Sequence, residues 1–148
     1  MKISTKVECG IIALIDIAVK SEIEPVVKIN AISKRNNISA KYLEQIFPLL
    51  KQASIIRSIK GASGGYVLAR DASEITLGEI VNALDNSILS SSTFAEKYEP
   101  LAITAIEECL WDPVTSFLCR ISNELTLKKL ADKFVELSSG PSEPMYYI

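Results

Sequence analysis

The chain has 148 residues, with 16 Lys+Arg against 18 Asp+Glu, no histidine, three cysteines and 48% hydrophobic residues. That length supports one ordinary core with room for a dimer-forming element. Without histidine, Ser-His and Cys-His nucleophile pairs cannot be built within the chain, so an enzyme is not expected.

The net charge of −2 hides an asymmetry. Residues 1–70 hold 11 Lys+Arg against 5 Asp+Glu, whereas residues 71–148 hold 5 against 13. A basic half joined to an acidic half suggests that only the first meets a polyanion; chance clustering on a solvated surface is the plainer alternative. Cys9, Cys109 and Cys119 form no CxxC pair. An odd number without a clear export signal fits a reducing cytoplasm. The apolar run Cys9 to Val19 follows Lys2 and Lys6 as a signal peptide would, but Glu8 and Asp16 interrupt it. No apolar stretch approaches the ~20 residues of a membrane span.

The spacing predicts a first helix over about Thr5 to Lys20. Its apolar positions cover more than one face, so it should be largely buried. Val26 to Ile29 reads as a short strand. Asn30 can cap a short helix, Ala31 to Arg35, and Asn36-Asn37 makes a turn, since Asn tolerates left-handed backbone. Ser39 caps the next helix. There Leu43, Ile46, Phe47 and Leu50 form one buried stripe, and Pro48 is expected to kink or loosen the helix. The order helix, tight turn, helix is a helix-turn-helix.

Ile55 to Ile59 and Tyr66 to Ala69 are β-rich. Between them Lys60-Gly-Ala-Ser-Gly-Gly65 supplies the glycines of a hairpin turn. Thr76-Leu-Gly-Glu79 is a capping box opening a helix to about Leu84. Asp85 to Glu99 reads as loop. A helix is expected from Pro100 to Leu110 or Trp111, then a new one with Asp112-Pro113 as its cap and first residue. In it Val114, Phe117, Leu118, Ile121 and Leu125 line one face, a candidate dimer seam. Thr126 begins a last short helix, and Ser138 to Pro144 should be a flexible tail. The expected fold is mainly α with a small β-wing. A winged helix-turn-helix domain spans 1–85, a linker and helical dimerisation region 86–137, and a tail 138–148.

The helix surface Ser39, Lys41, Tyr42, Glu44 and Gln45 carries donors and acceptors suited to base edges and phosphates. Arg57, Lys60 and Arg70 place positive charge on or near a thin Gly-rich loop. There Gly61, Ala62, Gly64 and Gly65 would let backbone approach a phosphate. A wet helix face and a plain hairpin turn are the ordinary alternatives for each alone; together they favour nucleic acid. The glycine cluster is not a nucleotide loop, because it lacks G-x-x-x-x-G-K-[ST] and precedes a strand.

Several motifs resemble the IscR/CymR-type family of bacterial winged-helix regulators. They are Met1-Lys-Ile-Ser-Thr-Lys6, Ser39-x-x-Tyr42-Leu43-Glu44-Gln45, Arg57-Ser-Ile-Lys-Gly-x-x-Gly-Gly-Tyr66, Ile75-Thr-Leu-Gly-Glu-Ile80, Leu110-Trp111 and Thr126-Leu127-x-x-Leu130. The resemblance implies a homodimer that binds palindromic double-stranded promoter DNA, usually as a repressor, with a long C-terminal helix in the dimer interface. It makes Ser39, Lys41, Tyr42, Glu44 and Gln45 the major-groove readers. Arg57, Ser58, Lys60 and Gly61 become the wing, and Lys2, Ser4, Thr5 and Lys6 approach phosphates. Ser54 stands where relatives carry Gly. Iron–sulfur members carry three closely spaced cysteines before the Leu-Trp pair; here Cys109 stands alone, so no cofactor and no metal are expected. The ending Tyr146-Tyr147-Ile148 resembles the cysteine-metabolism repressor branch, where a cysteine synthase is co-repressor and captures free C-terminal Ile tails. A thiol or iron–sulfur sensor of the same fold, or an adaptor that does not bind DNA, are the alternatives.

Overall fold

The computed structural model describes residues 3–89 and 98–140. Lys2 and the tail residues Tyr146, Tyr147 and Ile148 lie outside the described residues, as does most of the expected flexible tail. Helix α1, Thr5–Lys20, opens on Ser4, whose hydroxyl accepts from the Val7 N–H at 3.4 Å. That bond satisfies one of the orphan donors of a helix start. Val7, Ala13, Leu14 and Ile17 pack inward. The second apolar stripe is left partly open by the described residues. Ile12 is 41% exposed and, with Ile15, Val19 and Phe134, borders a groove of about 430 Å³.

Helix α2, Ile29–Asn36, begins earlier than the sequence suggests, with Lys28 rather than Asn30 at the cap position. The expected strand over Val26–Ile29 shrinks to one bridge. Val27 N–H donates to the Tyr66 carbonyl at 2.9 Å and Tyr66 N–H returns the bond at 2.8 Å. The Lys28 carbonyl already accepts from the Ala31 and Ile32 N–H groups, so the helix starts at once. Asn37 is left-handed, φ 53°, which gives the predicted turn.

Helix α3, Ala40–Gln52, is capped by the Ser39 hydroxyl, which accepts from the Tyr42 N–H at 3.0 Å. Leu43, Ile46, Phe47 and Leu50 are all fully buried, as the stripe predicts. The helix continues through Pro48 to Gln52. The carbonyl that Pro48 cannot serve is that of Glu44, an exposed residue, so water can satisfy it.

Helix α3 ends in a Schellman motif. Ile55 N–H donates to the Leu50 carbonyl and Ser54 N–H to the Lys51 carbonyl, both at 3.0 Å. Ser54 takes the left-handed position, φ 57°. The turn is therefore the glycine type, held by a residue with a Cβ. Strands β1, Ile56–Ile59, and β2, Gly65–Leu68, pair antiparallel, with Ile56 opposite Leu68 and Ile59 opposite Gly65. Tyr66 sets its ring edge on Phe47, centroids 4.6 Å apart, which seats the hairpin on α3.

A short 3-10 turn, Ala72–Glu74, leads to α4, Leu77–Leu84. Its capping box is complete: Glu79 N–H donates to the Thr76 hydroxyl at 3.2 Å and Thr76 N–H to Glu79 Oε2 at 2.9 Å. The C-terminal half departs most from expectation. Helix α5, Pro100–Ile106, passes through a π-turn, Glu107–Trp111, straight into α6, Asp112–Glu124. Trp111 and Asp112 are both right-handed helical, so Asp112-Pro113 is not a helix start. Proline removes a hydrogen bond, and a π-turn just ahead re-pairs the chain: Asp112 N–H donates back to Glu107. The result is one rod of about 37 Å.

The rod's end is lashed to the amino-terminal domain. Leu77 N–H donates to the Leu125 carbonyl and Leu127 N–H to the Ile75 carbonyl, each at 2.8 Å. Helix α7, Leu127–Ser138, then lies on α1 and the 3-10 turn, and Leu127 joins the main core. The rod itself is poorly covered. Leu110, Trp111, Val114 and Phe117 are between 39% and 52% exposed.

Candidate nucleic-acid interface

Helix α3 buries one stripe and therefore presents the opposite one. Lys41, Glu44, Gln45, Pro48 and Gln52 recur at helical spacing and are all exposed, with Ser39 exposed at the amino-terminal end. Tyr42 is half-buried and leans on the core. The face thus offers an ammonium, a carboxylate and two carboxamides without an apolar interruption except Pro48.

The hairpin stands beside this face. Lys60 and Gly61 are exposed at its tip, and Gly61 has φ 106°, a conformation that side chains rarely adopt. At Gly65 a Cβ would meet the Val27 carbonyl oxygen at 2.5 Å, so that glycine is what lets the α2 lead-in bridge the wing. The hairpin's two surfaces do different work. Ser58 faces α3, and its hydroxyl accepts from Lys51 Nζ at 3.1 Å. Arg57, one residue earlier, points to the other side. There it borders an open groove of about 560 Å³ with Arg70, Asp71, Lys128 and Asp132.

Arg70 does not add to the wing's charge as expected. It donates to the Ser54 carbonyl at 3.4 Å and the Glu74 carbonyl at 3.1 Å, and it pairs with Glu79 at 2.9 Å. It clamps the Schellman turn to the start of α4. The Thr76 N–H, with Arg70 as a weaker cause, holds the Glu79 carboxyl below the usual carboxylate range.

Ser4, Thr5 and Lys6 sit at the start of α1. Ser4 is occupied as a cap. The Asp85 carboxyl nearby is held low, first by Ser87, then by Ser4 and the Lys6 charge. Among the described residues no hydrogen bond ties this corner to α3 or the wing. Two cations escaped the sequence reading. Lys51 lies nearly two turns beyond Glu44, on the same face, a position periodicity could have supplied. Lys28 Nζ donates to the Ala62 carbonyl at 3.3 Å, across 34 residues of chain, which no local pattern reveals.

Beneath the interface, Asp16 fixes the helix-turn-helix. Arg35 Nε and Nη2 reach its two oxygens at 2.9 and 2.7 Å, and Asn36 Nδ2 adds a third bond at 2.7 Å. The Asp16 side chain is only 6% exposed, so this fork ties α2 to α1 in a partly dry setting.

The cysteines make no centre. Burial, then the Glu8 charge, pushes the Cys9 thiol up, which suppresses its thiolate. Cys109 is exposed in the π-turn and Cys119 half-buried in α6. On one rod they stand about 15 Å apart, too far for a disulfide. Among the described residues no three His, Cys, Asp or Glu side chains gather as metal ligands. Among them, too, no helix is long and apolar enough to cross a membrane.

Known proteins agree with this architecture. The transcriptional regulator IscR of Escherichia coli O1:K1 is 32% identical over 132 residues, 89% of this chain and 81% of that protein. The structure of CymR, the global cysteine regulator of B. subtilis, superposes with a TM-score of 0.75 at 34% identity, covering 90% of this chain and 98% of that one. T. potens IscR gives a TM-score of 0.76 at 28% identity, covering 99% and 97%. The family model described as Rrf2, iron-dependent transcriptional regulator, matches residues 3–133. The chain belongs to the Rrf2 family of winged-helix transcriptional regulators.

Proposed function

We propose that this chain is a cytoplasmic homodimeric repressor that reads a palindromic promoter site and works without an iron–sulfur cluster. The observation that carries the reading is the pairing of the polar α3 face with the wing through Lys51 and Ser58. A helix of this kind fills a major groove, and a thin basic hairpin beside it follows the backbone into the adjacent minor groove. Ser39, Lys41, Tyr42, Glu44 and Gln45 read or position. Arg57, Ser58, Lys60 and Gly61 act from the wing, and Lys2, Ser4, Thr5 and Lys6 meet phosphates beside them.

One reading helix needs a two-fold partner to span two half-sites. The exposed Leu110, Val114 and Phe117 of the rod, and the α1 groove lined by Ile12 and Phe134, supply apolar surface for that partner. The family's iron-dependent description does not fit the ligands present. Cys109 alone cannot hold a cluster that takes four ligands, and residues 86–108 offer no other thiol. The likeness to a cysteine regulator favours sulfur metabolism as the controlled process. A cysteine synthase that binds the Tyr146-Tyr147-Ile148 segment is the partner proposed for the tail.

The test is a pair of substitutions on a site obtained by binding selection. Gln45→Ala should change sequence preference, while Lys60→Ala should weaken all duplexes alike. Equal losses for Gln45→Ala on selected and scrambled DNA would remove base reading from α3.

A further inference from the structure

We propose that Lys28 is part of the duplex-binding surface, a further cation carried at the wing tip from a different part of the chain. The inference rests on the DNA-binding reading and extends it to a residue outside the helix-turn-helix face and the hairpin. Lys28 directly follows Val27, whose N–H and carbonyl both bond to Tyr66 of β2. Val27 is buried, so its extended neighbour Lys28 projects the other way and is exposed. Its ammonium reaches the Ala62 carbonyl at the wing tip, two residues from Lys60.

That bond decides the assignment. An ammonium has three donors, and one is used on the carbonyl, leaving two for phosphate oxygens. The carbonyl contact also removes much of the freedom a long side chain would lose on binding. No carboxylate neutralises it: none of the four ion pairs among the described residues includes Lys28. The wing tip therefore presents two ammonium groups, one from the hairpin and one from the α2 lead-in. A hairpin tip that follows the backbone into a minor groove brings both within reach of phosphates.

The experiment measures affinity for a mixed-sequence B-DNA duplex across a salt series, using the full chain and its Lys28→Gln and Lys28→Arg variants. Losing one phosphate contact per protomer should flatten the plot of log affinity against log salt by about 1.8 for a dimer. At 0.1 M salt that is a loss of about 60-fold. Lys28→Arg should keep the wild-type slope. Thermal melting of each variant checks that the wing's seat is intact. An unchanged slope for Lys28→Gln, with or without weaker binding, would reduce Lys28 to a brace and overturn this inference alone. A wild-type protein with no salt-dependent binding would overturn the DNA-binding reading as well.

Discussion

Replacing Ser54 by glycine should stabilise the protein. Ser54 holds φ 57° at the left-handed position of the Schellman turn that joins α3 to the wing. A Cβ in that conformation costs about 1–2 kcal/mol. Glycine returns part of the gain, about 0.4–1 kcal/mol, through its freer unfolded chain. The net is about 0.5–1 kcal/mol in favour of Ser54→Gly, or ~2 °C in melting temperature for a chain of this size. Nothing offsets this, because Ser54 is exposed and its hydroxyl has no hydrogen-bond partner among the described residues. Ser54→Ala keeps the Cβ and should stay within about 0.5 kcal/mol of wild type. Urea unfolding at one fixed protein concentration reads the difference as a shift in midpoint at constant slope. An equal gain from alanine, or a lower midpoint for glycine, would refute the reasoning.

Asp16→Ala leaves Arg35 and Asn36 without their shared acceptor. Breaking a buried pair costs about 3–5 kcal/mol, and Arg35 is 31% exposed and can turn to water, so we expect about 2 kcal/mol by urea unfolding. Gly65→Ala must displace the Val27 carbonyl, so amide exchange of Tyr66 and Val27 should quicken as their bridge opens. Glu79 has a lowered folded-state pKa, so its contribution is complete above the ordinary value of 4.5 and is lost as pH falls through the lower folded value. Glu79→Gln should therefore be less stable than wild type near neutrality, with the gap closing in acid. Deleting Ile148 should abolish calorimetric binding to cysteine synthase, and undiminished binding would remove the tail from the mechanism.

What the sequence disclosed was local. The Ser39 cap, the Thr76–Glu79 box and the α3 stripe each depend on residues within two turns of one another, and all three appear as read. Pro113 misled because a proline's effect depends on its surroundings. Pro48 orphans a carbonyl on an exposed residue, and Pro113 follows a π-turn. Arg70 looked like wing charge because its partners, Ser54 and Glu79, lie 16 and 9 residues away. Lys28 was invisible for the same reason at a longer range. The return of α7 onto α1 likewise follows from tertiary bridges such as Leu127 to Ile75, which no periodicity encodes.

The most direct test of the central claim is the salt dependence of duplex binding by the wild-type protein. With ~4 phosphates neutralised by each protomer, log affinity should fall with log salt at a slope near −7 for the dimer. Binding that is absent, or flat across the salt series, would contradict a grip built from α3 and the wing.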